Sequence, residues 1–217
     1  MKRRDLFTDL ANKTRFVPHR ASPGARRFTN ALLRTHENKE VRFYDDLIRG
    51  RQVIINSMYA DCHGACPIVT ATMVRLYDAL KDRMGKDLFF YSFSVKPQQD
   101  TPAALKAYAE MHRANRPGWT FLTGDTYDIE TIRFRLFRMN HPGIDLDFAS
   151  HASTLRIIND ATNCWTTAEA FASVKTILQR IAWADPPMSP AERRLANKRL
   201  QQQINEDVKR FGYRSTV

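Results

Sequence analysis

Short apolar runs alternate with amphipathic segments through the middle of this 217-residue chain. The residues from Val53 to Tyr59 form a mostly continuous apolar run, which is typical of a strand buried on both faces of a sheet. The segment from Pro67 to Arg83 instead repeats its apolar residues at helical spacing. Its apolar face consists of Ile68, Val69, Met73, Leu76 and Leu80. This part of the chain therefore predicts a buried strand followed by a long amphipathic helix.

The same alternation continues on both sides of that pair. We expect strands over 41–47, 88–95, 119–122 and 154–158, and helices over 101–113, 126–139 and 168–181. Strands that alternate with helices of this length indicate βαβ units, in which helices flank a central sheet that is mainly parallel or mixed. We therefore expect an α/β fold, with the aromatic rings of Tyr59 and Trp119 in its core.

Two basic segments flank this predicted core. Residues 1–29 contain two prolines and a glycine among six arginines and predict a basic arm, whereas residues 30–185 form the predicted domain. Residues 186–217 predict a basic helical extension, because Ser189-Pro190-Ala191-Glu192 has capping-box spacing with proline at the first helical position. The apolar stripe of the extension consists of Leu200, Ile204, Val208 and Phe211. We expect this stripe to pack on the domain or to bind a partner.

The formal charge of +11 is concentrated at the two ends of the chain. Residues 1–50 carry a net +6 and residues 186–217 a net +4, whereas residues 51–185 are almost neutral. A basic end can contact nucleic acid, anionic lipid or an acidic protein. Because neither end has interleaved aromatic residues or a recognisable nucleic-acid module, we expect no nucleic-acid partner. Contact with a membrane surface through the basic ends stays a hypothesis.

No segment of the sequence approaches the ~20 consecutive apolar residues that a membrane-spanning helix needs. The start, Met1-Lys2-Arg3-Arg4-Asp5-Leu6-Phe7, is similar to a twin-arginine export signal, but the residues that follow it are polar rather than apolar. Two hypotheses about the compartment therefore stay open. Either the protein is cytoplasmic, or its export segment is absent or degenerate.

Three cysteines exclude a disulfide-stapled scaffold but leave room for thiol chemistry. Cys62 and Cys66 lie between the predicted strand and helix, one helical turn apart, where they can share a metal ion or form a disulfide. The free N–H groups and the positive dipole of a helix N-terminus favour thiolate over thiol. The structural alternative is a pair of small core cysteines. Cys164 is expected in a turn with a passive role; the alternatives are a resolving thiol and a stray ligand.

Several segments, taken in order along the chain, resemble the Sco/SenC family of copper-binding, thioredoxin-like proteins. They are Tyr59-Ala60-Asp61-Cys62-His63-Gly64-Ala65-Cys66-Pro67, Ser92-Phe93-Ser94-Val95-Lys96-Pro97-Gln98-Gln99-Asp100-Thr101-Pro102, Leu105-Lys106-Ala107-Tyr108-Ala109, Pro117-Gly118-Trp119-Thr120-Phe121-Leu122-Thr123-Gly124-Asp125 and Asp147-Phe148-Ala149-Ser150-His151-Ala152-Ser153. The first is similar to the family's Cys-x-x-x-Cys-Pro turn, the second to its Ser-Val-Asp-Pro-x-x-Asp-Thr-Pro segment, and the last to the segment that carries its histidine ligand. The resemblance covers about residues 30–182.

The resemblance implies a thioredoxin-like fold that binds copper through two cysteines and a distal histidine. Carried over to this chain, Cys62 and Cys66 supply thiolates and His151 supplies an imidazole. It also implies delivery of copper to the binuclear copper centre of a respiratory enzyme, by default cytochrome c oxidase, or another copper enzyme such as nitrous oxide reductase. A copper donor protein is then a second expected partner. The expected location is the periplasm or the surface of the inner membrane.

Three positions depart from the family's pattern. Lys96 stands where the family usually has an aspartate after Ser-Val, and Ser150 replaces the aspartate that often precedes the histidine. Ser57 occupies a strand position that is more often aromatic. None of these changes removes a ligand, and we expect the first two to alter metal affinity or partner recognition.

The chemistry of the residues themselves supports a soft metal. Two thiolates and one imidazole form a three-coordinate set that suits Cu(I), whereas a closed zinc site takes four protein ligands. His63 lies between the cysteines, where its reach to the same metal is awkward, and Asp61 either steers an incoming cation or completes the turn. The other histidines are expected to be solvated or locally hydrogen-bonded: His19, His36, His112 and His141.

A thiol–disulfide oxidoreductase is the competing interpretation, with Cys62 and Cys66 exchanging through a mixed disulfide. Thioredoxin-type enzymes, however, have two residues between their cysteines, and the three found here leave room for a metal. A peroxidase is disfavoured because no threonine lies three residues before either cysteine. The remaining alternative is a thioredoxin-like interaction module that has lost its chemistry.

Overall fold

The computed structural model describes residues 27–137 and 153–185, together with six helical positions of the C-terminal extension: Arg194, Lys198, Gln201, Gln202, Asn205 and Glu206. Across these described residues, seven strands form one mixed sheet. The strands are β1 (Leu32–Thr35), β2 (Glu40–Arg42), β3 (Gln52–Met58), β4 (Leu88–Ser94), β5 (Trp119–Gly124), β6 (Thr154–Asn159) and β7 (Cys164–Glu169). The helices are α1 (Ala65–Ala79), α2 (Pro102–Met111), α3 (Thr126–Phe137) and α4 (Val174–Ala184), preceded by a π-helical segment at Phe43–Ile48.

The sheet has the strand order β2-β1-β5-β4-β3-β6-β7. Its central strands β5, β4 and β3 run parallel to one another, and β1 and β6 flank them in the antiparallel direction. β3 pairs with β4 along its whole length, from Gln52 opposite Leu88 to Met58 opposite Ser94. All residues of β3 are buried, as its apolar run predicts. This mixed α/β architecture confirms the fold class expected from the sequence.

Both faces of the sheet are covered. Neighbouring side chains of β3 point in opposite directions and therefore belong to two different cores. Ile54 and Met58 belong to the core on one face, which α1, α2 and α4 complete. Val53 and Ile55 belong to the core on the other face, which the π-helical segment and α3 complete. The apolar run of β3 is explained by this environment, since a strand covered on both sides has no polar face.

The strand predicted over 41–47 is wrong for most of its length. Strand β2 ends at Arg42, and the next six residues form the π-helical segment. The buried residues of that segment are Phe43, Tyr44, Leu47 and Ile48. Their spacing places all four on one side of a helical turn, whereas a strand would turn alternate residues away from the core.

The helix predicted over 168–181 is wrong in its first half. The residues Cys164–Glu169 form the edge strand β7, and helix α4 begins only at Val174. Its start is set by Ser173, whose hydroxyl accepts a hydrogen bond from a backbone N–H of the first turn. Cys164 therefore lies in a strand rather than in the expected turn. The β-branched threonines in the middle of β7 favour this pairing.

The other elements predicted over the described residues are confirmed, most of them with shifted ends. Helix α1 begins two residues before its predicted start and ends four before its predicted end. Ile68 is 56% exposed and not part of the buried face, because Val69, Met73 and Leu76 face the sheet instead. Trp119 is buried as expected. Strand β1 was not predicted, and the apolar stripe of the C-terminal extension lies outside the described residues.

Candidate metal centre

The cysteine turn connects the end of β3 to the start of α1. Cys62 lies in the loop and Cys66 in the first turn of the helix, and they are only 8% and 3% exposed. Neither cysteine forms a disulfide. They belong to the core cluster that also contains Met58 and Val69. The turn therefore holds two reduced thiols at the edge of the core, where a buried strand meets a helix N-terminus.

The two thiols differ in acidity. Burial opposes ionisation of Cys62, but hydrogen bonds from the Cys66 side chain and from the backbone N–H groups of Cys66 and Gly64 outweigh it and lower the pKa of Cys62. Those N–H groups lie at the N-terminus of α1, where a helix supplies no internal acceptor. Burial raises the pKa of Cys66, and the neighbouring Cys62 raises it further. Cys62 is therefore the thiol that ionises first.

A buried carboxylate holds the start of the turn. Asp100 is 3% exposed and accepts hydrogen bonds from the backbone N–H of Ala60 at 3.1 Å and from the hydroxyl of Ser94 at 2.5 Å. Burial raises the pKa of Asp100, although these two hydrogen bonds and the Lys96 ammonium act in the opposite direction. Because Ala60 lies two residues before Cys62, the carboxylate fixes the point at which the chain leaves β3.

Two tyrosine hydroxyls lie near the cysteines. A hydrogen bond with Cys62, together with the charge of that thiol and burial, raises the pKa of Tyr59. The hydroxyl of Tyr108, on α2, is 2.9 Å from the hydroxyl of Thr70 on α1. Burial raises the pKa of Tyr108, and Cys66 and Cys62 contribute in the same direction. Both phenols therefore stay protonated at neutral pH and can donate toward the site.

His63 and Asp61 face solvent rather than the cysteines. Their side chains are 92% and 89% exposed, and the imidazole Nε2 lies 3.3 Å from the carboxylate Oδ1 of Asp61. The structure therefore does not bring His63 into contact with the two thiols, as the awkward spacing indicates. Of the two roles considered for Asp61, attraction of an incoming cation is the one that its exposed position favours.

His151 and Ser150 lie outside the described residues. The described chain resumes just before β6, which runs antiparallel to β3. Thr154, at the start of β6, therefore lies toward the end of the sheet where β3 leads into the cysteine turn. Within the described ranges, no three His, Cys, Asp or Glu side chains are grouped so that they could hold a metal ion. This part of the chain accordingly contributes two candidate ligands, both sulfur.

The other described histidines make local contacts. His36 is 6% exposed; its Nδ1 accepts a hydrogen bond from the N–H of Phe121 at 3.2 Å, and its Nε2 lies 3.3 Å from Oδ1 of Asn115. The ring of His112 lies 4.3 Å from that of Tyr108, measured between centroids. These contacts match the local roles expected of both residues. His19 and His141 lie outside the described residues.

Cys164 is far from the cysteine turn. It pairs with Asn159, which in turn pairs with Gln52 at the amino end of β3. The turn follows the opposite end of the same strand, roughly 20 Å away at ~3.3 Å per residue. This position supports the passive role expected of Cys164 and places it too far away to act as a resolving thiol or a ligand in this structure.

Sequence reasoning missed two residues of the site. Asp100 precedes Thr101 and Pro102, a pattern typical of a helix start, and Thr101 is indeed the residue whose side chain caps α2. The pattern says nothing of the hydrogen bond from Ala60 to Asp100. Tyr108 has no local signal apart from the apolar face of α2. Both approach the cysteines only through the packing of α1, α2 and the sheet.

The family model for SCO1/SenC matches residues 29–184. The chain belongs to the SCO1/SenC family. The SCO1 protein homolog of Bacillus subtilis (strain 168) is 32% identical over 92 residues, which are 42% of this chain and 47% of that relative. The match to this curated relative therefore spans about half of its length.

Solved structures of the family share the fold. BsSco, a member of the Sco family of cytochrome c oxidase assembly proteins in which a disulfide switch was identified, is 24% identical, with a TM-score of 0.58 over 71% of this chain and 90% of its own. Yeast Sco1 with copper bound is 18% identical, with a TM-score of 0.58 over 74% of this chain and 93% of its own. These similarities confirm the thioredoxin-like fold expected for this SCO1/SenC protein.

Over the ranges that the structure describes, no helix of this SCO1/SenC protein is both long enough and apolar enough to cross a membrane.

Proposed function

We propose that this protein is a copper metallochaperone that binds one copper ion through Cys62, Cys66 and His151. The observation that carries the proposal is the pair of reduced, buried thiols at the N-terminus of α1, in a chain whose residues 29–184 match the SCO1/SenC family. Yeast Sco1, which has the same fold, was solved with copper bound. Copper is the cargo of such a protein, taken up from one partner and passed to another.

The donor set suits Cu(I). Two thiolates and an imidazole are soft ligands, which Cu(I) prefers over the oxygen ligands of magnesium or calcium. Cys62 supplies the first thiolate, because hydrogen bonds from the start of α1 lower its pKa. Cys66, whose pKa is raised, gives up its proton when the metal takes its place. Uptake of Cu(I) therefore releases protons, and its affinity rises with pH until both cysteines are ionised.

The strand order supports His151 as the third ligand. Thr154 begins β6 toward the end of the sheet at which β3 runs into the cysteine turn. His151 precedes Thr154 by three residues, which span at most about 10 Å of chain. His63, the other histidine near the cysteines in sequence, is turned to solvent. The distal imidazole is therefore a better candidate than the adjacent one.

We propose that the acceptor is a respiratory enzyme with a binuclear copper centre, cytochrome c oxidase first and nitrous oxide reductase as the alternative. BsSco belongs to a family of cytochrome c oxidase assembly proteins. A copper donor protein then supplies the metal. The location that fits this acceptor is the periplasm or the inner-membrane surface. The basic arm at 1–29 and the basic extension at 186–217 flank the 30–185 domain and would attract anionic lipid there.

A second activity, reduction of the acceptor's cysteines, is favoured by the unequal acidity of the two thiols. The Cys62 thiolate would attack an acceptor disulfide to form a mixed disulfide and release one acceptor thiolate, which takes up a proton. Cys66 would then attack Cys62 and release the second acceptor thiol. The acceptor disulfide is reduced by two electrons, and the protein is left with a Cys62–Cys66 disulfide.

Anaerobic titration of the reduced protein with Cu(I), against a competing chelator, tests the proposed site. We expect one tightly held Cu(I) per chain and protection of Cys62 and Cys66 from alkylation. His151→Ala should weaken Cu(I) binding by at least about tenfold. Loss of a residue that only hydrogen-bonds a metal ligand already lowers metal affinity by roughly 10-fold to 100-fold, and loss of a ligand should cost no less. His63→Ala is the matched control and should bind like the parent, as should Cys164→Ser.

Three outcomes would count against this site. A protein that takes up no Cu(I) but forms a reversible Cys62–Cys66 disulfide would support the oxidoreductase alone. Unchanged affinity in His151→Ala would remove the third ligand. A fully oxidised sample that still took up stoichiometric Cu(I) would show that these thiols are not the ligands.

A further inference from the structure

Lys96 and Tyr59 leave the sheet side by side. Strands β3 and β4 are parallel neighbours, and Met58 at the end of one lies opposite Ser94 at the end of the other. The N–H of Val95 donates a 2.8 Å hydrogen bond to the carbonyl of Met58, which continues the pairing by one step. The two strands therefore deliver Tyr59, which opens the cysteine turn, and Lys96, in the next loop, to the same edge of the sheet.

The backbone of Lys96 is held in place at both its polar groups. Its N–H donates to the hydroxyl of Ser94 at 3.0 Å. Its carbonyl accepts from the N–H groups of Gln99 and Asp100, each at 2.9 Å. The lysine side chain therefore starts from a fixed point, and less conformational entropy is lost when its ammonium settles against a neighbour.

That neighbour is the ring of Tyr59. The Lys96 ammonium nitrogen lies 4.0 Å from the ring centroid, which is a close cation–π contact. The tyrosine is half-buried against the core cluster that contains both cysteines, and its hydroxyl hydrogen-bonds Cys62. One face of the phenol is thus covered by a cation while its polar end reaches a proposed ligand.

We infer that Lys96 is a positioning residue of the cysteine turn: its ammonium keeps the Tyr59 ring beside Cys62 and thereby raises the affinity of the turn for Cu(I). The inference rests on the proposed copper site. Two thiolates around one Cu(I) carry a net negative charge, which a hydrogen bond from a phenol and a nearby ammonium both stabilise. An aspartate at position 96, usual in the family, would offer neither the contact nor the favourable charge.

The buried Asp100 carboxylate also attracts the Lys96 ammonium. Removing the lysine therefore changes two interactions, and a single variant cannot separate them. The separation needs Tyr59→Leu, which deletes the ring and its hydroxyl but leaves Lys96 and Asp100 unchanged. If the lysine acts through the ring, its removal affects the site only while the ring is present.

The test is a double-mutant cycle in the full-length reduced protein, read as Cu(I) affinity against a chelator. We expect Lys96→Gln to weaken Cu(I) binding by up to about 30-fold, the full value of a desolvated cation–π contact. The contact is already present without copper, so only the part of it that strengthens when the thiolates bind Cu(I) changes the affinity. Lys96→Arg, which keeps the cation, should restore affinity to within about twofold of the parent. In the Tyr59→Leu background, Lys96→Gln should change the affinity by less than about twofold.

Two further readouts separate positioning from a general loss of structure. Urea unfolding of each variant reports whether the fold is intact, and only variants with a cooperative transition enter the cycle. In the reduced, copper-free protein, ring current should shift the NMR signals of the Lys96 ε-methylene protons upfield, and Tyr59→Leu should abolish that shift. This second readout does not depend on copper.

The inference is overturned if Lys96→Gln weakens binding equally with and without the Tyr59 ring, since the lysine would then act through its charge alone. It is also overturned if Lys96→Gln has no effect, or if the ring-current shift is missing. If the parent binds no Cu(I), the proposed function fails by itself. The same four variants are then compared by their thiol–disulfide equilibrium with glutathione. In this equilibrium two protein thiols and one glutathione disulfide give one protein disulfide and two glutathione thiols. Lys96→Gln should shift the equilibrium toward the protein disulfide only while Tyr59 is present.

Discussion

The carboxylate of Asp100 accepts a hydrogen bond from the backbone N–H of Ala60 at 3.1 Å, and so joins the loop after β4 to the turn after β3. The two residues are 40 positions apart in sequence. They meet because parallel strands end at the same edge of the sheet. The cysteine turn is thus held from a neighbouring loop at its first residues and by helix α1 at its end.

Loss of that carboxylate should destabilise the protein. Asp100→Ala leaves the N–H of Ala60 and the hydroxyl of Ser94 without their acceptor, which should cost about 2 to 4 kcal/mol in the free energy of unfolding. Asp100→Asn keeps an amide oxygen for Ala60 and is the matched control, with an expected cost below about 1.5 kcal/mol. Urea unfolding followed by circular dichroism measures both. Equal losses in the two variants would show that the hydrogen bonds are not the cause.

The stability of the parent should depend on the ionisation of Asp100. Burial raises its pKa above the usual 3.8, so the folded protein keeps this proton in a pH window where the unfolded chain has lost it. The contribution of Asp100 to stability is therefore fully present below that window and falls as pH rises through it. The free energy of unfolding of the parent minus that of Asp100→Asn, measured in steps from about pH 3.5 upward, should therefore become smaller as the pH rises. A difference independent of pH would contradict the raised pKa.

Cys62 should react with alkylating agents before Cys66. Hydrogen bonds from the Cys66 side chain and the start of α1 lower the pKa of Cys62 despite its burial, whereas burial raises the pKa of Cys66. Limited treatment of the reduced protein with iodoacetamide at pH 7, followed by peptide mapping, should label Cys62 at least about tenfold faster. The rate of alkylation of Cys62 should rise with pH and reach its plateau at a lower pH than the rate of an ordinary thiol does, because the pKa of Cys62 is lowered. Faster labelling of Cys66 would reverse the roles assigned to the two thiols.

Two buried serines on neighbouring strands should respond differently to loss of the hydroxyl. Ser92 donates a 2.7 Å hydrogen bond to Oδ1 of Asn56 and accepts a 3.0 Å hydrogen bond from Nε1 of Trp119. Ser92→Ala leaves both groups without this partner and should cost about 2 to 3 kcal/mol.

Ser57→Ala is the matched control for that variant. Ser57 is equally buried, but its hydroxyl has no hydrogen-bond partner among the described residues. Its removal should leave stability unchanged or raise it by up to about 1 kcal/mol, because burying an unpaired hydroxyl is unfavourable. Thermal or urea unfolding of the two variants side by side measures the difference. A loss above 1 kcal/mol in Ser57→Ala would indicate a partner for this hydroxyl elsewhere in the chain.

Gly118 cannot accept a side chain. Its φ of +79° lies in the left-handed region, and a Cβ there would come within 2.4 Å of the backbone nitrogen of Gly85. Gly118→Ala should therefore cost about 3 kcal/mol or more, from backbone strain and the forced displacement of a neighbouring chain. Gly50, with a φ of +67° and no atom within 4 Å of the added Cβ, is the control. Gly50→Ala should cost only the strain, about 1 to 2 kcal/mol.

Much of the fold could be predicted from local patterns. The continuous apolar run of β3 and the helical spacing of α1 both correspond to elements with a buried side, and both were found. The errors fall where a local pattern is ambiguous. The sequence predicts a strand that continues through residues 43–47 and a helix that begins at residue 168, because short apolar segments satisfy more than one period. Pairing with the sheet or packing on it decided each case.

The sequence by itself determined the cysteine turn. The spacing of Cys62 and Cys66, the buried strand before them and the helix after them are local features, since a few consecutive residues set both the backbone period and the start of a helix. These features also carry the family resemblance. Tertiary structure alone decided what surrounds the thiols. The hydrogen bond between Asp100 and Ala60 and the contact of Lys96 with Tyr59 depend on the register of β3 against β4, which no local pattern encodes.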